Sequence, residues 1–152
     1  MKIAADFQRT LATGETLGTM TADATRPRRL LVHDMIFGSE ANTADAALLW
    51  RVFRVTSAGT NTAVTLGYID PADSSSEYDA GEAHSSEPTG SAVTSAYLMQ
   101  VPLNQRATFR WVAAPGMELV MPQTPSAGFG IRTPVCSTGT PIITATVHAL
   151  EM

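Results

Sequence analysis

Short runs of alternating apolar and polar residues, broken by turn-forming residues, dominate this chain. Ile3, Ala5 and Phe7 alternate with Lys2, Asp6 and Gln8, and the segment from Leu48 to Val55 alternates at its centre. Such a period of two predicts strands with one buried face. The second run meets Thr56-Ser-Ala-Gly-Thr-Asn61. Residues 63–69 follow with Val64, Leu66 and Tyr68 on one face, which predicts a hairpin. Further on, Val93, Tyr97, Met99 and Val101 share a face up to Pro102. Ala107, Phe109 and Trp111 point inward between Arg106, Thr108 and Arg110. Pro115-Gly116 turns the chain into 117–121, which Pro122 ends. Ala127, Phe129 and Ile131 then alternate with Gly128, Gly130 and Arg132, and 142–150 is a last β-branched, Thr-rich run. With its ring inward, Trp111→Ala is expected to cost about 3–5 kcal/mol.

Helical spacing is confined to 43–49, enough for one or two turns capped by Asn42 or Thr43. One strand breaks the alternation. In Arg29-Leu-Leu-Val-His-Asp-Met-Ile-Phe37, Leu31, Met35 and Phe37 fall on one face and Leu30, Val32 and Ile36 on the other. Two apolar faces predict a cover on the outside, supplied by the N-terminal segment or by a neighbouring subunit.

About nine short strands, with no helix long enough for a parallel crossover, predict an all-β, antiparallel β-sandwich. A jelly roll is the first expectation and a barrel the second. No period repeats, which disfavours a propeller or solenoid. The 152 residues suit one domain, with 1–28 as an N-terminal arm or added strand and 70–91 as a long acidic loop.

Charge changes that picture in one place. Residues 55–105 hold six acidic side chains (Asp70, Asp73, Glu77, Asp79, Glu82, Glu87) and no Lys or Arg, whereas each flank carries one net positive charge. The net charge of −4 argues against a grip on nucleic acid or anionic lipid. Asp6 and Arg9 interrupt any apolar leader, and the longest apolar stretch, Ala46 to Trp50, is far too short to span a bilayer. The single Cys136 forms no internal disulfide and suits a reducing compartment.

Candidate chemistry is sparse. His33, His84 and His148 lie far apart in sequence without a second ligand at metal spacing, and His33 and Asp34 are expected on opposite faces of a strand. His148 is expected in solvent. The tight His cluster of a cupin, a nucleophile elbow and a phosphate loop are all missing. In the acidic loop, Pro71 and a displaced glycine break the order of a calcium site, so the loop reads as solvated, with a contact arm as its functional alternative. Cys136 has no sequence neighbour that would activate it. Arg26-Pro-Arg-Arg29 could clamp carboxylates on a partner. The candidate partner contacts are therefore Arg26, Arg28, Arg29, Asp70, Asp73 and Tyr78. No catalytic residue, metal ligand or cofactor is expected.

The segments Val101 to Val120 and Ser126 to Arg132, with the strand 49–55 and Tyr68-Ile-Asp-Pro71, resemble the head decoration (cement) proteins of tailed bacteriophages. These are framework strands covering about half the chain. The resemblance implies a β-sandwich protomer, commonly a homotrimer. It would bind the major capsid protein on the outside of the virion, after synthesis in the host cytoplasm, and stabilise the shell by inter-subunit contacts without enzymatic activity. The alternative is a carbohydrate-binding or adhesin module on a particle surface. That reading asks for an exposed aromatic platform, and Tyr78 is the one aromatic expected in an open loop.

Overall fold

A computed structural model describes residues 1–11, 16–73, 75–90, 96–136 and 138–152. The strands are β1 (Lys2–Thr10), β2 (Thr16–Ala22), β3 (Leu30–Ala41), β4 (Ala47–Ser57), β5 (Thr60–Val64), β6 (Gly67–Tyr68) and β7 (Tyr78–Ser86). They continue with β8 (Thr89–Gly90), β9 (Tyr97–Asn104), β10 (Phe109–Val112), β11 (Leu119–Met121), β12 (Gly128–Cys136) and β13 (Ile142–Glu151). Sheet A has the order β10-β3-β13-β1-β6, with β11 also on β3. Sheet B has the order β5-β7-β2-β12-β4-β8, with β9 also on β4. All pairings are antiparallel, and the two sheets form the β-sandwich that the alternation predicts. The count exceeds nine because several strands are only two to five residues long.

The core is built from the inward set of each sheet. Ile3, Ala5 and Phe7 on β1 and Ile143, Ala145 and Val147 on β13 face Met20, Trp50, Val52, Phe129 and Ile131 of sheet B. Phe37 and Trp50 stack across the interior with centroids 5.1 Å apart. Burying each large apolar side chain contributes about 1.5–3 kcal/mol. Trp111 is only half-buried at the sheet A edge. Trp111→Ala is therefore expected to cost about 1–3 kcal/mol in urea unfolding, and the full 3–5 kcal/mol belongs to Trp50→Ala, whose side chain is 1% exposed.

Several expectations are corrected. The 48–55 and 63–69 runs do not form a hairpin. β5 pairs with β7, at the opposite edge of sheet B from β4, and β6 crosses to sheet A to pair with β1. A pattern of alternation sets which face is buried but says nothing about which strand lies alongside. Residues 43–49 make no helix, because β4 takes them up from Ala47. Residues 1–28, expected as an arm or an added strand, supply β1 and β2 to the two sheets. The 70–91 segment is not one loop either: β7 and β8 occupy much of it, while residues 74 and 91 lie outside the described set, as does Val93. β9 runs through Pro102 to Asn104, which an edge position permits because the missing N–H is not needed for pairing there.

The two-faced strand has a simple origin. His148 of β13 pairs with Asp34 while Ala149 pairs with Val32, so His33 is an extra residue in β3. This β-bulge shifts the alternation by one. Leu30 and Val32 before it and Met35 and Phe37 after it all reach the core at 0% exposure, while Leu31 and Ile36 stay half-exposed outside.

Candidate contact surfaces

The six residues singled out in the sequence come together at one end of the sandwich. Met152 N–H donates to the Arg29 carbonyl, Glu151 N–H to that of Met1, and Ile69 N–H to that of Lys2. Lys2 N–H in turn donates to Asp73, and Asp70 folds its own turn by accepting from Ala72 N–H. Arg26 and Arg28 do not stand free. Arg26 lies 3.2 Å from Glu77 and Arg28 3.7 Å from Glu151. Tyr78 is 3% exposed, which corrects its expected place in an open loop, and its hydroxyl donates to the Arg28 carbonyl at 3.0 Å. Burial, with the Glu151 charge beside it, pushes the phenol up to about 12. Arg29 is exposed, and Ile69 and Met152 present half or more of their surface at the same end.

The acidic block serves largely as internal acceptors. Sheet edges carry N–H groups with no strand to receive them. Glu82 reaches from β7 to accept Gln8 N–H at 2.9 Å, and Glu87 accepts both the N–H and the hydroxyl of Thr16. Glu151, at the end of β13, is 3% exposed and accepts from Ser76 Oγ and Glu77 N–H. Within the acidic run, Glu82 thus ties β7 to β1 of the other sheet, and Glu87 ties the end of β7 to β2 in its own sheet. The contact candidates of this block, Asp70 and Asp73, stay at the surface in the turn beside β1.

Sequence reasoning missed the cluster on the outward face of sheet A. The bulge turns both His33 and Asp34 outward, against the expectation that they face opposite ways. Asp34 is 4% exposed and accepts a two-pronged bond from Arg110, with Nε at 3.0 Å and Nη2 at 2.7 Å. His148 Nδ1 lies 3.1 Å from the same carboxylate, and the His33 ring stacks 6.5 Å from that of His148. Hydrogen bonds from Arg110 hold the Asp34 carboxyl below its ordinary value, against burial and with help from His148. The interrupted alternation at His33-Asp34 was the available signal.

Sheet B is closed differently. Gly130 leaves room for Phe53 to lie over β12, and Phe53, Val55 and Tyr97 form a small outer cluster capped by Arg51, whose guanidinium sits 4.2 Å above the Tyr97 ring. Next to it, His84 is 5% exposed with Nε2 3.5 Å from Thr19 Oγ. Burial pushes its imidazole below the ordinary value, and the nearby Glu87 charge opposes that. An open groove of about 540 Å³ runs beside Thr19, Thr21, Asn61 and Asp79, with Tyr68 on its lining. Among the described residues, no group of three or more His, Cys, Asp or Glu is placed to hold a metal ion. Cys136 Sγ donates to the Thr138 carbonyl at 3.2 Å and receives Gln105 Nε2 at 3.3 Å. No protein-family model, curated protein or solved structure matches the chain.

Proposed function

We propose that this protein is a structural virion protein: a decoration subunit, a jelly-roll protomer grouped in threes, that binds the outside of a phage head and stiffens the shell. The observation that carries this reading is the convergence of Arg29, Ile69, Met152 and the Asp70–Asp73 turn at one rigid end of the sandwich. Exposed apolar residues beside a basic side chain suit burial against another protein. Elsewhere in the sandwich charged groups hold strands together, as in the Glu82, Glu87 and Glu151 locks, and so support a body that works through its surface. Many symmetry-related copies let modest single affinities hold a shell.

The test is addition of the purified protein to undecorated heads of its cognate phage. Saturable binding and a higher head melting temperature are expected. Arg29→Glu with Ile69→Asp should abolish occupancy while leaving the melting temperature of the free protein nearly unchanged. Undiminished occupancy would remove this end from the interface, and no binding by the unaltered protein would end the decoration reading.

The groove beside Tyr68 favours a second reading, carbohydrate binding, because hydroxyl and amide side chains near an aromatic ring suit a sugar. A glycan-array signal lost with Tyr68→Ala and retained with Arg29→Glu would select it.

A further inference from the structure

The outward face of sheet A is complementary to itself. Strand register places Asp6, Thr146, Ile36 and Arg110 in one row across β1, β13, β3 and β10. The next row holds Ala4, His148, Asp34 and Val112. Asp6 and Arg110 therefore stand at opposite ends of one row, each open to solvent. We propose that two copies of this chain associate face to face through this surface, about a two-fold axis that runs along the strands between β13 and β3.

That operation exchanges the columns and keeps the rows. Asp6 then faces the partner's Arg110, Ala4 faces the partner's Val112, and His148 faces the partner's Asp34. Each contact occurs twice, as a closed two-fold interface demands. The other face-to-face two-fold, across the strands, lays Arg110 over Val112 and Asp6 over Ala4, so both charges lose water without gaining a partner. Charge complementarity selects the first arrangement.

Two further features suit an interface. Asp34 already holds the Arg110 guanidinium in place, so little side-chain freedom remains to be lost on contact. Val112 is 59% exposed on the sheet, as an apolar contact residue should be before docking. With strands about 4.8 Å apart and same-face residues about 6.8 Å apart, four columns by four rows cover about 500 Å² per copy. The pair thus buries about 1,000 Å², near the lower bound for a specific interface, which predicts reversible association. Aligned sheets pack at about −30°, which a two-fold along the strands accommodates. The pairing stands apart from the shell-binding reading, since a three-fold grouping would use another surface.

The experiment uses the full chain with Cys136→Ser. Ala4→Cys and Val112→Cys are introduced together. Within one chain these positions lie three strands apart, about 14 Å, twice the Cα separation a disulfide tolerates, so any bridge joins two copies. Mild oxidation should give covalent dimers on a non-reducing gel. Sedimentation of the chain without the added cysteines should show a monomer–dimer equilibrium that Asp6→Arg weakens at least tenfold, with an unchanged circular dichroism spectrum. Failure to cross-link, a strict monomer at high concentration, or a trimer indifferent to Asp6→Arg would each overturn the proposal.

Discussion

On the outside of sheet A, side chains stand in open rows, and the buried carboxylate of Asp34 is held by an arginine that remains 62% exposed. On the outside of sheet B, Phe53 lies over Gly130 at 0% exposure, and all seven residues of β2 are buried. Both sheets use the same inward alternation, so the difference lies in what the outward positions are. Gly130 on β12 lets Phe53 lie over the backbone of sheet B, whereas the outward residues of β13, Thr144, Thr146 and His148, stay half-exposed. Sheet B spends its outer face on stability, and sheet A keeps its own available for contact.

The largest test of this contrast is a pair of truncations. Phe53→Ala should cost about 3–5 kcal/mol in chemical denaturation, and Ile36→Ala, on the outside of sheet A, about 1 kcal/mol. Equal costs would mean that sheet A is as closed as sheet B. A smaller effect concerns Asp34. Its depressed pKa contributes stability that is present above the unfolded value of about 4 and lost as the pH falls through the folded value. Asp34→Asn should remove about 1 kcal/mol at pH 7 and flatten the stability profile below pH 4.

The smallest effect lies in a different window. Burial lowers the His84 imidazole, so its stabilising contribution holds above the unfolded value of about 6.5 and declines as the pH drops below it. His84→Asn should erase that step and leave the Asp34 step intact. One step common to both variants would show that the two faces titrate together, contrary to their separation on opposite sheets.

Much of the fold is legible residue by residue. Ile3, Ala5, Phe7, Trp50, Val52, Phe129 and Ile131 are core residues by alternation and by structure alike. Partners are harder to read. Val64 belongs to a strand that pairs with β7, because backbone hydrogen bonds carry no residue identity and neighbours are chosen by how whole faces pack. The contact candidates were legible as residue types, and their gathering at one end was not, since Arg29 and Met152 are far apart in the chain. The Arg110–Asp34–His148 cluster was least accessible, because it depends on three strands and a bulge.

Alternation and turn residues by themselves determine that this chain is a β-sandwich with a defined inward set, because burial of one strand face is a local property of side-chain order. The bulge at His33, the roofing of sheet B and the conversion of the acidic run into locks were decided only in three dimensions. Each depends on which atoms of distant strands meet, and that is settled by the packing of the two sheets together.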